Sequence, residues 1–260
     1  MTASTMQKLL PISVLMITHR GDERFFQAIA SIKWAQEVLI HDLSGAIDKN
    51  KLSHPGKIVL LKIPKTSDTS GIGNFAKIRN QLQLRATQPW IFWLDSDEVV
   101  ADEATGMLAS MIERSDIAGW AFQRVDHFAG QTLAWGEVGK VWLLRLGKKG
   151  ALRWSGAVHE VAGVKGSVEK SKILLHHYPH PTISEFISQI SQYAEIEAQA
   201  RVAAGRQWHI GQLAYPPGKW LFAMLFQQAW RDGWAGWVYA TVMSLHSMAV
   251  RVFWWEKQHA

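Results

Sequence analysis

Three carboxylates fall within four residues, Asp95-Ser96-Asp97-Glu98, directly after the apolar run Trp90-Ile91-Phe92-Trp93-Leu94. The run is rich in β-favouring side chains and lacks Gly and Pro, so it reads as a buried strand. An unpaired carboxylate is costly to desolvate, so three of them at a strand end must meet water, a cation or a ligand. Hard oxygen donors suit Mg²⁺ or Mn²⁺, and such an ion would in turn hold a diphosphate. A solvated turn is the plain alternative, because Asp-x-Asp alone is a weak pattern.

A second group, His176, His177 and His180, surrounds Tyr178 and Pro179. Zinc is one reading, but the chain has no Cys, and neighbours on a strand face opposite ways, so His176 and His177 would diverge. A structural or groove-lining role fits better. Gly71 and Gly73 flank a loop and are read as turn residues, without a phosphate role.

The elements that must position these groups alternate. Ile12 to Ile17 reads as a strand, and Asp22 as the cap of a helix with Phe25, Ala28, Ile29 and Ile32 inward. Glu37 to Asp42 and Ile58 to Ile63 read as strands, and Asn74 heads a helix with Phe75, Ile78, Leu82 and Ala86 inward. The Trp90 run follows. Such alternation with helix-length gaps implies an α/β chain, its sheet mostly parallel and covered by helices on both faces. Ligands of such sheets lie outside the carboxyl ends of the strands, where His19, Asp42 and Asp95 fall.

The ordered set Ile12-Ser13-Val14 with Thr18, Asp42-Leu43-Ser44-Gly45, Ala76-Lys77-Ile78-Arg79-Asn80 and Trp90 to Glu98 resembles the family-2 inverting glycosyltransferases. Leu144-Arg145-Leu146 and Trp154-Ser155-Gly156-Ala157-Val158-His159-Glu160 resemble a narrower branch, which includes bacterial lipopolysaccharide inner-core β-1,4-glucosyltransferases. The resemblance extends from about residue 10 to about residue 255. It implies a GT-A, Rossmann-like fold and a nucleotide diphosphosugar donor. Asp97, with Asp95 beside it, would hold Mg²⁺ or Mn²⁺ against the leaving diphosphate. Thr18 and Asp42 would contact the nucleotide, Arg145 would clamp phosphate, and Asn80 would hold the loop carrying Asp97. Inversion needs a general base opposite the leaving group, and Glu160 is the candidate. His159 is read as a third metal ligand, a diphosphate contact or a hydrogen-bonded structural His. Glu98 would orient Asp97 or be solvated, and Lys77 and Arg79 are read as a solvated helix face.

The chain departs from the family pattern in two places. His19-Arg20-Gly21-Asp22-Glu23 stands where the family has Asn-Glu, and the second Asp after the second strand, Asp48, is displaced by one position. Asp42 is therefore carried over and Asp48 is not.

Composition bounds the remainder. With 260 residues and 48% hydrophobic content, the chain can bury a full core. The absence of Cys excludes disulfides and thiolate chemistry and is compatible with the cytosol. The first residues lack a basic region followed by an apolar core, so no signal peptide is expected. Net charge is +6 without a dense Lys/Arg run, so an anionic membrane face or glycolipid is expected and nucleic acid is not. Seven of the 14 Trp lie between Trp208 and Trp255, near Arg206, Lys219, Arg231, Arg251 and Lys257. Trp beside Lys and Arg favours a membrane–water interface. Trp234 to Val250 carries no Asp, Glu, Lys or Arg over 17 residues, at the lower limit for a span of about 17–25. Two interfacial or partly buried helices are expected here, with an ordinary buried pair as the alternative.

The expected organisation is a lead over 1–10, a transferase domain over 11–175 with its nucleotide half at 11–98 and acceptor half at 99–175, and a helical, Trp-rich region over 182–260. Strands are expected over Ile117 to Val125, Val141 to Leu146 and the Leu152 segment, and a long helix capped by Thr182 and Glu185 and ended by Gly205. The function expected is transfer of a hexose, glucose from UDP-glucose foremost, to an inner-core heptose of lipooligosaccharide. The acceptor would be lipid-linked and the protein peripheral on the cytoplasmic face of the bacterial inner membrane. Two alternatives stand: a related transferase with a protein or polysaccharide acceptor, and a non-catalytic membrane-associated protein of the same fold.

Overall fold

The structure is a computed structural model that describes residues 8–45, 47–61, 75–156, 160–180 and 182–259. The expectations for residues 1–7, Ile63, Gly71, Gly73, Asn74 and His159 lie outside the described residues. The chain divides into two compact units, residues 1–124 with 142–177, and residues 125–141 with 178–260.

The first unit alternates strand and helix: β1 (Leu10–Thr18), α1 (Glu23–Ala30), β2 (Ala35–Asp42), β3 (Lys57–Leu61), α2 (Phe75–Arg85), β4 (Trp90–Trp93), β5 (Glu98–Val100) and α3 (Ala104–Glu113). Then come β6 (Gly119–Phe128), β7 (Gln131–Leu133), β8 (Val141–Lys148), β9 (Leu152–Ser155), β10 (Val161–Val164) and β11 (Val168–His177). The main sheet runs β3-β2-β1-β4-β8-β6-β11-β5, with β7 on β6, and β9 and β10 form a separate antiparallel pair. The pairings β3-β2-β1-β4 are parallel, whereas β8 joins β4 and β5 joins β11 antiparallel. The later strands thus make the sheet a mixed one.

Side chains of a strand alternate between faces, and here both faces are buried. Ile12, Val14 and Met16 of β1 pack with Phe92 and Leu94, and with Phe25, Ala28 and Ile29 of α1. Leu15, Ile91 and Trp93 pack on the opposite face with Ala76 and Leu82 of α2 and with Leu152 and Trp154 of β9. Asp22 caps α1, its Oδ1 accepting from the Phe25 amide at 3.2 Å. In α2 the inward stripe differs from expectation: Phe75 is exposed, and Ala76, Leu82 and Gln83 are buried.

Two polar residues sit inside the sheet. Ser13 of β1 donates to Glu37 of β2, and both are buried. Their oxygens also accept backbone amides from the stretch before β4, Thr87 to Glu37 at 2.8 Å and Gln88 to Ser13 at 3.1 Å. A buried carboxylate is tolerated only when supplied with donors, and here Glu37 has two, the Ser13 hydroxyl and the Thr87 amide.

The second unit holds the end of β6, β7, and the helices α4 (Ile183–Ala203), α5 (Tyr215–Leu225) and α6 (Gly233–His259). Residues 125–141 belong with this unit because Phe128, Leu133 and Val138 pack with Phe186, Ala235 and Val242. Thr182 caps α4, accepting from the Glu185 amide at 3.1 Å, and Gly205 follows the helix with φ +68°, a conformation that favours glycine. At Gly236 a Cβ would stand 2.0 Å from the Ala229 carbonyl oxygen, so glycine alone lets α6 start so close to the preceding turn.

No helix among the described residues is long and apolar enough to cross a membrane. The Trp-rich segment divides. Trp254 is buried, while Trp230, Trp234, Trp237 and Trp255 are exposed, as are Leu221, Phe222, Leu225 and Phe226 along one side of α5. Phe226 is 74% exposed and its ring stacks on Phe222. The basic residues expected to face an anionic surface are largely engaged inside the unit. Lys219 pairs with Glu137 and Lys257 with Glu195, each at 3.0 Å. Arg251 is buried and donates to Ser247, and Arg231 lies 3.9 Å from the Trp135 ring centroid.

Candidate active site

The carboxyl ends of the parallel strands bring together side chains from five elements. β4 ends inside the sheet, and Leu94 still bonds the Leu15 carbonyl oxygen through its amide at 3.1 Å. The chain then turns at Asp95, Ser96 and Asp97 and re-enters the sheet as β5, the Glu98 amide donating to the Asp95 carbonyl at 3.0 Å. The acidic run is therefore a tight turn between two strands.

Two arginines partition these carboxylates. Arg145 of β8, only 5% exposed, donates from Nη2 to Asp95 Oδ2 at 2.6 Å and also to Glu98. Arg79 of α2 donates from Nη2 to Asp95 Oδ1 at 3.2 Å and from Nε to Glu160 Oε2 at 2.7 Å. The guanidinium of Arg79 also stands 4.7 Å from the Trp93 ring centroid and 4.4 Å from that of Trp154. The result is a chain of charges, Glu160–Arg79–Asp95–Arg145–Glu98, with Asp97 beside it. Burial alone would raise the Asp95 carboxyl, but the charges of Arg145 and then Arg79 outweigh it and hold Asp95 well below the ordinary carboxylate range. Glu98, fully enclosed, is displaced the other way: burial pushes it up, Asp95 adds to that, and Arg145 opposes it.

Several expected roles change. Arg145 is buried behind the turn and holds Asp95 and Glu98, so it pairs carboxylates where a phosphate clamp was expected. Asn80 does not hold the loop carrying Asp97. Its amide bonds the Trp154 backbone twice, Nδ2 to the carbonyl at 2.8 Å and Oδ1 from the amide at 3.0 Å, and so ties α2 to β9. Both oxygens of Asp95 are taken by guanidinium groups, which leaves Asp97 as the acid of the turn best placed for a cation. Asp97 is 23% exposed, and His177 Nε2 lies 3.8 Å from its Oδ1. Among the described residues no group of three His, Asp or Glu side chains is arranged to hold a metal. An Mg²⁺ or Mn²⁺ ion held by one carboxylate and a diphosphate remains compatible with Asp97, since Mg²⁺ commonly uses one or two carboxylates plus substrate phosphates.

Thr18 and Asp42 end neighbouring strands in register. The Thr18 hydroxyl is occupied by the Arg20 backbone, at 3.0 Å to both its amide and its carbonyl. Asp42 Oδ1 accepts from the Ser44 amide and hydroxyl and the Gly45 amide, all within 2.9 Å. Slight burial would raise this carboxyl, and those bonds, Ser44 first, lower it below its usual value. Asp42 therefore shapes the loop after β2, and its Oδ2 lies 3.4 Å from the Ile47 amide. His176 and His177 close β11, where His177 stands opposite Glu98 in register. His180 belongs to the second unit and stacks on Phe186 with centroids 3.9 Å apart.

Arg79 lies inward, in contrast to the solvated helix face expected of it: Ala76, Arg79, Leu82, Gln83 and Ala86 recur at helical spacing, which places Arg79 in the inward stripe.

No family model matches the chain. The lipopolysaccharide core biosynthesis glycosyltransferase LpsC of Rhizobium meliloti (strain 1021) is 27% identical over 169 residues, 63% of this chain and 62% of that protein. The chain thus matches somewhat less than two thirds of the relative's length. Among solved structures, S. aureus TarS 1-349 superposes with a TM-score of 0.43 at 12% identity, covering 96% of this chain and 91% of that one. The same fragment with UDP-GlcNAc gives 0.43 at 11% identity, over 95% and 91%.

Proposed function

We propose that this chain is an inverting glycosyltransferase of lipopolysaccharide core assembly. It moves a hexose, glucose from UDP-glucose foremost, onto an inner-core heptose. The similarity to LpsC supports the reaction class and the pathway. The observation that carries the reading is the meeting of Glu160 with Asp95 through one guanidinium, beside Asp97, at the carboxyl edge of the parallel strands.

In this reading the acceptor hydroxyl gives its proton to Glu160 as its oxygen attacks C1 of the donor sugar. The bond from C1 to the diphosphate breaks on the opposite face, which inverts the anomeric centre. A Mg²⁺ or Mn²⁺ ion bound by Asp97 and the diphosphate would stabilise the charge that develops on the leaving group. Arg145 and Arg79 keep Asp95 ionised, and so keep the turn carrying Asp97 in one conformation. Thr18 and Asp42 bound the nucleotide end.

A lipid-linked acceptor fits the second unit. Its exposed rings suit burial at the interface of the bacterial inner membrane on the cytoplasmic face, where lipid-linked core would be met. The test is incubation with UDP-glucose, UDP-galactose or UDP-GlcNAc, Mn²⁺ and deacylated inner core, with the anomeric configuration of the product read by NMR. The expected product is a β-linked hexose on heptose. No UDP release from any of these donors would overturn the reading in favour of a non-catalytic protein.

A further inference from the structure

We infer that Arg79 is the positioning residue of this reaction, fixing the carboxylate of Glu160 for proton transfer while touching neither sugar; the inference rests on the reading of Glu160 as the base. An arginine on the inward stripe of a helix is costly unless its charge meets hydrogen-bonded acids. Here one edge of the guanidinium is spent on Glu160 and another on Asp95. The two indoles of Trp93 and Trp154, themselves in edge contact at 5.6 Å, lie against the guanidinium and fix its orientation. The two hydrogen bonds between the Asn80 side chain and the Trp154 backbone tie α2 to β9. Everything around Arg79 is therefore held, and Glu160 is held by Arg79.

The residues flanking Glu160 show why such a clamp matters. Glu160 precedes the short strand β10, whose first residue Val161 is paired with Ser155 of β9. The backbone is thus anchored on the β10 side, and the side chain gains its direction from Arg79 Nε. With Oε2 engaged, Oε1 is the oxygen presented to the acceptor hydroxyl. A misplacement of about 1 Å at a reacting group can cost on the order of 10²-fold in rate. Lysine would carry the charge but not the two directed N–H bonds or the stacked plane.

The experiment is a double-mutant cycle of R79Q and E160Q in the full-length protein, with R79K and W154F alongside. Turnover, KM for donor and acceptor, UDP affinity by calorimetry and melting temperature are read for each. R79Q is expected to lower kcat by about 10- to 100-fold, with UDP affinity unchanged within about twofold. R79K should recover only part of that loss. In the E160Q background R79Q should add nothing further, because residues acting as a unit are not additive. A full additional loss in the double variant would overturn the inference and leave Glu160 as the base. Weakened UDP binding in R79Q would also overturn it, placing Arg79 on the donor through its buried Nη1, which makes no hydrogen bond among the described residues. Near-normal turnover of E160Q would overturn both the inference and the reading beneath it. Should R79Q not fold, W154F keeps the ion pairs but weakens the stacking, and must show the same split between kcat and UDP affinity.

Discussion

The two units use the same residue types in opposite ways. In the first, Trp34, Trp90, Trp93, Trp120 and Trp154 are buried, and the arginines Arg79 and Arg145 are drawn inside to meet carboxylates. In the second, Trp230, Trp234, Trp237 and Trp255 are about half exposed, while Lys219 and Lys257 meet acids within the unit. A buried ion pair is of limited use for stability but fixes geometry, whereas an exposed ring contributes to neither until something covers it. Under the proposed function the contrast would give chemistry to the first unit and membrane attachment to the second, and it can be broken from either side.

The largest effect should come from Asp97→Ala. Transfer should be lost and Mn²⁺ should no longer raise the melting temperature with UDP, while the melting temperature of the uncomplexed protein stays close to wild type. Full activity in EDTA would remove the metal from the mechanism. Next, Glu160→Gln should reduce turnover by about 10²–10⁴-fold with UDP affinity retained in calorimetry. Both substitutions should leave vesicle binding unchanged, which sharpens the division between the units.

From the other side, serine at Phe222, Phe226 and Trp230 together should abolish sedimentation with vesicles and leave transfer to a deacylated, soluble acceptor intact. Each ring contributes on the order of 2 kcal/mol when buried. Because Lys219 and Lys257 are paired with acids within the unit and Arg251 is buried, binding of the wild type should weaken only in part in high salt. Sedimentation that vanishes in salt would show that the charges dominate after all.

The smallest effect concerns pH. Burial lowers the pKa of His246 below its ordinary 6.5, the charges of Lys219 and Arg251 assist, and Glu197 and Glu137 oppose. The folded second unit therefore binds this proton less readily than the unfolded chain. Its contribution is complete above about 6.5 and is lost as pH falls through the lower, folded-state value. Melting temperature should decline on acidification through that window, and His246→Leu should flatten the decline.

Much of this was legible in the residues. The capped helix after Asp22, the apolar runs of β1 and β4 and the capped α4 follow from local rules, because apolar runs and cap chemistry act over a few residues. The acidic turn could be read as a site, since carboxylates at a strand end need partners. The identity of those partners could not, because Arg79 and Arg145 reach Asp95, and Glu160 reaches Arg79, only through pairings between distant strands and helices. Phe75 misled for a related reason. It extends the helical period by one step, yet α2 turns Ala76 inward in its place. That Lys219 and Lys257 meet Glu137 and Glu195 was not legible either, because those acids lie 82 and 62 positions away along the chain.

The buried pair of Ser13 and Glu37 has a consequence for the order of synthesis. β1 emerges from the ribosome first yet ends with a strand on each side, β2 and then β4. Until Thr87 and Gln88 have been made, Glu37 lacks one of its donors, Ser13 lacks the amide it accepts, and one side of β1 stays open. An unfinished sheet with a half-supplied acid and an open edge is poorly stable and prone to stick to others. The first three strands therefore gain their full set of bonds only when Trp90 to Trp93 is present and the sheet closes around β1.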